Sequence, residues 1–244
     1  RLIKKAWTEP KPFGWEGEYY QYRAISLWPR PRQQPHPRIL MSGSNPDSAR
    51  NAARHGAMLG LVFLPSLPAG RQIIEAYIDE ARLSGWEPTP DDILCGFNMC
   101  IAETDEVARD TLAGGVRYFM QTLMTPQRQA QQLVLTKTRY FGHEGGAENF
   151  LKRLQVAGTR TIDDAIHDGT VICGSPETVV KQIKRIHAEL GCGWLNTNMK
   201  IGNIPNEAVT HGMELFRDFV HPEVKDLGVV ARAFSPAAHV MAAD

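Results

Sequence analysis

Two stretches of strand length, 59-LGLVFL-64 and 93-ILCGFNMCIA-102, are apolar almost throughout. A strand without polar alternation has no face to show to water, so it belongs inside a sheet covered on both sides. Each run is followed by a segment with helical signals. Arg71 to Ser84 places Ile74, Tyr77, Ile78 and Ala81 on one face and closes at Gly85. Thr104 is an N-cap with Asp105 and Glu106 in the first turn behind it.

The same alternation extends in both directions. Arg38 to Ser42 predicts a short strand, and Pro46 to His55 a helix stopped by Gly56. Later, Ser175-Pro176 opens a helix whose Val179, Ile183, Ile186 and Leu190 form one stripe ending at Gly191. Trp194 to Asn198 predicts another strand, and Val209, Met213, Phe216 and Val220 mark a last helix that Pro222 should stop. Four strands, near Ile39, Val62, Phe97 and Leu195, predict the α/β class with a parallel sheet covered by helices. The reading is the C-terminal portion of a (β/α)8 TIM-like barrel, with a doubly wound open sheet as the alternative. No G-x-G-x-x-G turn follows the first strand, which weakens the dinucleotide-binding version of that alternative.

Residues 1–225 read as one barrel domain, and 226–244 as an Ala-rich tail. Arg1 to Trp7 looks like the end of an amphipathic helix without its N-cap, so an upstream part of the barrel is expected to be missing. Such a half would expose an unpaired sheet edge and an uncovered apolar interior. Residues 13–28 predict a small hairpin around Gly17, and the Pro-rich 29–38 an extended connector. A helical excursion, about 104–170, interrupts the alternation before the last strand, with 142-GHEGG-146 as its tip. Tyr118, Phe119, Met120 and Leu123 within it are either core or substrate-pocket residues.

Lys plus Arg equals Asp plus Glu, 27 each, so no charge excess points to nucleic acid or an anionic membrane. No apolar run approaches the roughly 20 residues of a membrane span. The four cysteines form no C-x-x-C pair, and no histidine cluster has metal-ligand spacing. That cysteine usage suits a reducing, cytoplasmic compartment.

The loop after each barrel strand lies on the ligand-binding face. Ser42, Gly43 and Ser44 occupy that position after the first strand, and Ser48 follows in the first turn of the helix. Glycine lets backbone approach a ligand, and a helix start offers unpaired N–H groups and a positive dipole end. These four residues are the candidate phosphate site. A plain helix start with no ligand accounts for them too, as 174-GSPET-178 repeats the pattern, and Asp47 must point away from any phosphate. Asn196, Asn198 and Lys200 end the last strand on the same predicted face. His36, His55, His143 and His211 read as surface or structural histidines.

Four segments in order resemble the bacterial luciferase-like flavin-dependent monooxygenase family. They are Phe13-x-x-x-Gly17-x-x-Tyr20 with 27-LWPRPRQQPHPRI-39, then 43-GSNPDSARNAARHG-56, 174-GSPETVVKQIKRIHAELG-191 and 202-GNIPNEAVTHGMELFRDFVHP-222. The resemblance implies a (β/α)8 barrel with an excursion before the last strand. It implies reduced FMN as cofactor, or a deazaflavin, with the phosphate at Gly43, Ser44 and Ser48. It implies transfer of one oxygen atom from O2 to a small organic substrate, reduced flavin from a separate reductase, and a homodimer as a common assembly. The family's catalytic side chains come largely from earlier strands, expected upstream of Arg1, so no catalytic residue is assigned. A deazaflavin-dependent hydride-transfer enzyme and a non-catalytic flavin-binding remnant are the alternative readings.

Overall fold

The computed structural model describes residues 1–62, 64, 66–134 and 160–227. The tip 142–146 and most of the tail lie outside the described residues. The chain divides into two compact units, Arg1–Leu40 and Met41–Asp244.

In the first unit, helix α1 (Leu2–Thr8) ends before Pro10, and strands β1 (Phe13–Glu16) and β2 (Gln21–Ile25) form the expected hairpin. The pairing is antiparallel, from Phe13 opposite Ile25 to Glu16 opposite Gln21. The Gly17 N–H donates to the Tyr20 carbonyl at 2.9 Å and closes the turn. Residues 29–38 contain neither helix nor strand, as their prolines require.

The second sheet begins with β3 (Leu40–Ser42) and continues through α2 (Pro46–Arg54), β4 (Met58–Leu61), α3 (Leu67–Leu83) and β5 (Ile93–Ile101). Helices α4 (Asp105–Tyr118), α5 (Thr125–Val134) and α6 (Ile162–His167) precede β6 (Val171–Gly174). Then come α7 (Pro176–Leu190), β7 (Trp194–Asn198), α8 (Asn206–Leu215) and α9 (His221–Val224).

Strand β5 is the axis of this sheet. It pairs in parallel with β4 through Leu94 and Cys95, with β7 from Leu94 to Asn98, and with β6 from Asn98 to Ile101. Leu94 partners both β4 and β7, so these lie on opposite edges. Asn98 partners both β6 and β7, so β6 continues the edge that β4 leaves.

One face of β5 supplies Ile93, Cys95, Phe97, Met99 and Ile101 to a core shared with Ile74 and Tyr77 of α3 and Val179, Ile183 and Ile186 of α7. This is the stripe that both helices show in sequence. A second cluster gathers Cys100, Ala108, Leu112, Cys173 and Ile204.

Three elements depart from expectation. Strand β6 was not expected: 171-VICG-174 is short and abuts a helix, but its N–H and C=O groups extend a β5 edge that β4 has vacated. Helix α3 starts a turn earlier than Arg71, because Ser66 caps it by accepting the Ala69 N–H at 3.3 Å. Pro68 then sits in the first turn, where its missing N–H costs nothing. Pro222 does not stop the last helical segment. A wider π-type turn, Phe216–Val220, joins α8 to α9, and Pro222 stands in the first turn of α9.

Candidate active site at the strand ends

The parallel strands bring their C-terminal ends to one side, and the Ser42–Ser48 turn is there. The Gly43 N–H donates to the Gly60 carbonyl at 2.9 Å. A Cβ on Gly43 would stand 2.6 Å from Leu59 Cδ1 and 3.5 Å from the Ala49 nitrogen. The glycine is thus demanded by the close passage of the chain over β4 and the start of α2.

Asn45 caps α2, with its Oδ1 accepting the Ser48 N–H at 2.9 Å. The Ser48 Oγ accepts N–H groups from Ser44 at 3.0 Å and Asn45 at 3.2 Å, and donates to the Asn45 carbonyl at 2.9 Å. This reciprocal capping box commits Ser48 to the turn itself. Asp47 turns outward: its carboxylate pairs with Arg50 at 2.9 Å and its side chain is 94% exposed. Ser42 and Ser44 are exposed, so the four residues named from sequence do come together.

The turn at Gly174-Ser175-Pro176, which resembles Gly43-Ser44-Asn45-Pro46, has an anion on it already. Ser175 precedes α7 without a side-chain cap bond of its own. The Asp105 carboxylate instead accepts the Ser175 N–H at 2.6 Å and the Thr178 hydroxyl at 2.9 Å. Those bonds, led by the Ser175 N–H, hold Asp105 below the ordinary carboxylate range. A Cβ on Gly174, whose φ is +152°, would stand 2.7 Å from the Asp105 Oδ1. A Gly-Ser-Pro helix start in this chain therefore holds a carboxylate, as dipole and N–H geometry predict.

On the face of the sheet turned away from the main core, Cys100 is buried in the second cluster, and the part before it is open among the described residues. It was expected to be apolar, yet beside Val62 and Trp194, 39% and 43% exposed, it carries side-chain amides. Asn98 is half-buried, and Asn196 and Asn198 are exposed. The Asn198 Nδ2 donates to the Asn98 Oδ1 at 3.0 Å. Lys200 is drawn aside, its Nζ donating to the Ile204 carbonyl.

The histidines are local. The His36 Nδ1 lies 2.7 Å from the Pro37 carbonyl. The His55 N–H bonds back to Ala52 at the end of α2. His143 lies outside the described residues. His211 differs: its Nε2 lies 2.6 Å from the Glu103 Oε1, just past the end of β5. Glu103, held below the ordinary range by a backbone N–H and then by His211, was not anticipated. No sequence spacing links two residues this far apart.

All four cysteines are free and buried. Burial pushes the Cys100 thiol up to about 11 and the Cys173 thiol up to about 12. Among the described residues no group of three His, Cys, Asp or Glu could hold a metal ion. No described helix is long and apolar enough to cross a membrane.

Comparison with known proteins agrees with this architecture. No curated protein matches the sequence. A monooxygenase from Streptomyces bottropensis of solved structure is 25% identical with a TM-score of 0.66, over 90% of this chain and 58% of that one. The oxygenating constituent of 3,6-diketocamphane monooxygenase from Pseudomonas putida, in complex with FMN, is 18% identical with a TM-score of 0.64, over 91% of this chain and 60% of its own. The coenzyme F420-dependent tetrahydromethanopterin reductase from Methanopyrus kandleri is 17% identical with a TM-score of 0.59, over 91% and 60%. The chain thus spans less than two thirds of the length of these proteins, and its parallel sheet corresponds to part of a TIM-like barrel. The family model described as luciferase-like monooxygenase matches residues 1–192, and the chain belongs to that family.

Proposed function

We propose that the protein is a flavin-dependent monooxygenase that uses reduced FMN and O2 to oxygenate a small organic substrate. Ser42 and Ser44 would bind the flavin phosphate through their hydroxyls, Gly43 would let it approach the backbone, and Ser48 would hold the turn in shape through its capping box. The observation that carries this reading is the Ser42–Ser48 turn, a capped helix start at the strand ends whose one carboxylate, Asp47, is held off by Arg50.

The residues present fit a phosphate. The Ser42 and Ser44 hydroxyls are exposed on the turn, Pro46 has no N–H to lose, and the Asp47 N–H is an orphan donor of the first helical turn. The Asp105 carboxylate on the sister turn is a stand-in for the same chemistry. Reduced FMN, when bound, supplies the electrons that activate O2. The chain's own part is to anchor the phosphate at the mouth of the sheet and so fix the ring against the open face. Val62 on that face would help to exclude water from the ring. A separate reductase would deliver the reduced flavin, and a homodimer is the proposed assembly.

The second reading is hydride transfer with a deazaflavin. It is favoured by the similarity to F420-dependent proteins, which include a secondary alcohol dehydrogenase as well as the reductase above. The experiment measures FMN binding by flavin fluorescence and then O2 consumption with reduced FMN. Binding with O2 uptake supports the monooxygenase. Binding of a deazaflavin in preference to FMN, with no O2 uptake, supports hydride transfer. Flavin binding without turnover supports a non-catalytic role. Replacing Ser44 by alanine should weaken FMN by about tenfold and leave riboflavin, which has no phosphate, unchanged. Equal loss for both ligands would place the phosphate elsewhere.

A further inference from the structure

The open face of the sheet breaks a local rule. Asparagine is depleted in strands, yet Asn98, Asn196 and Asn198 stand on two adjacent parallel strands, facing the same way. They neither pack into a core nor replace a missing backbone bond. Where a chain departs from local preference without a packing return, a site is the usual reason.

The hydrogen-bond inventory shows what such a site would take. A primary amide has two N–H donors and one oxygen acceptor. The single bond from the Asn198 Nδ2 to the Asn98 Oδ1, at 3.0 Å, uses one donor and one lone pair. It leaves both N–H groups of Asn98 and the Oδ1 of Asn198 without a side-chain partner among the described residues. A donor and an acceptor therefore stand side by side on the open face. Their complement is a group with C=O next to N–H, which is the edge of a cis amide or imide.

We propose that Asn98 and Asn198 bind the imide edge of the cofactor's pyrimidine ring, with Asn98 donating to a ring carbonyl and Asn198 accepting the ring N–H. The assignment rests on the flavin reading above, and it holds for FMN and for a deazaflavin alike, because both rings carry this edge. The placement agrees. The Gly43 N–H is level with Gly60, and Gly60 is in register with Leu94. Asn98 lies four residues further along β5 and two strands across from β3, on the order of 16 Å from the phosphate turn on a flat sheet. A phosphate joined through a five-carbon chain to the central ring of the tricycle brings the adjoining pyrimidine edge to a comparable distance.

The test uses the full chain with FMN, riboflavin and N3-methyl-FMN, whose imide N–H is blocked. The wild type should bind N3-methyl-FMN about tenfold more weakly than FMN. Asn98→Leu should weaken FMN and riboflavin by the same factor, about tenfold, whereas Ser44→Ala affects FMN alone. Asn198→Leu, which removes the acceptor and the bond that orients Asn98, should likewise weaken FMN and riboflavin by the same factor. Equal wild-type affinity for FMN and N3-methyl-FMN would overturn the assignment without any variant having to fold. So would an Asn98→Leu protein that folds and binds FMN as the wild type does; in either case the flavin reading stands. Failure of the wild type to bind any flavin or deazaflavin would overturn both.

Discussion

Replacing Gly43 by alanine separates a packing demand from a ligand demand at the phosphate turn. Gly43 is not in the left-handed region, so alanine meets no backbone penalty there. Its Cβ would stand 2.6 Å from Leu59 Cδ1, well inside the 3.4 Å where ordinary contact begins. Leu59 is 0% exposed and packed in the main core, so its methyl cannot swing into water. Overpacking of this kind costs about 1–3 kcal/mol. For a unit of this size each kcal/mol moves the melting midpoint by about 2–4 °C. The assay is thermal and urea unfolding of Gly43→Ala, Leu59→Ala and the double variant. Leu59→Ala alone should cost about 2–5 kcal/mol for the cavity it leaves. In the double variant the new methyl occupies part of that space, so the double should be no less stable than Leu59→Ala. The coupling should then be about 1–3 kcal/mol in favour of the pair. Losses that add within about 0.5 kcal/mol would refute the argument and leave close ligand approach as the reason for this glycine.

The Asp105 carboxylate, held below its ordinary range by the Ser175 N–H, contributes stability that is present above the unfolded-state value of about 3.9 and is lost as pH falls through the lower folded value. Asp105→Ala should therefore lower the melting midpoint at pH 7, and the difference from wild type should shrink at low pH; a pH-independent difference would contradict this. Tyr77→Phe removes the bond from the buried hydroxyl to the Ala57 carbonyl, 2.7 Å, and should cost about 1–2 kcal/mol by urea unfolding. A neutral result would mean that water reaches that carbonyl. Gly202 has φ +58° and its missing Cβ would run into the Gly115 carbonyl oxygen, so Gly202→Ala should cost about 3 kcal/mol or more. Retention of the wild-type midpoint would show that the loop before α8 can move away.

The elements that could be read in the sequence are those whose signal is local. Helix α7 has its cap, its proline, its stripe and its closing glycine within one stretch, and its observed span, Pro176–Leu190, is the expected one. Strand β7 was likewise legible as Trp194–Asn198. Strand β6 was not, because four residues carry too little pattern and their pairing partner lies some seventy positions away in β5. The turn at Ser42–Ser48 was legible because glycine, caps and proline fall within seven residues. That Ser48 would be taken up by the capping box, and that Asp105 would sit on Ser175, depended on hydrogen-bond partners that spacing does not reveal. The Asn98–Asn198 pair and the Glu103–His211 pair were illegible for the same reason: each joins residues about a hundred positions apart.

Strand β5 also has a bearing on how such a chain can diverge. The segment that leaves β5 after Ile101 returns beside it, since Ile101 is in register with Gly174 and the Ala102 N–H donates to the Gly174 carbonyl at 3.3 Å. Asp105 and Ser175 then fasten the two ends at 2.6 Å. Beyond α4, whose Ala108 and Leu112 are buried in the second cluster, a segment whose ends are already joined can be lengthened, shortened or replaced at small cost to the sheet, since doubling a loop adds only about 0.6 kcal/mol of closure entropy. The connections between β3, β4 and β5 have no such freedom, because their helices fill the core. New specificities can therefore arise here by exchange of the stretch beyond α4, with the strands and the phosphate turn passed on unchanged.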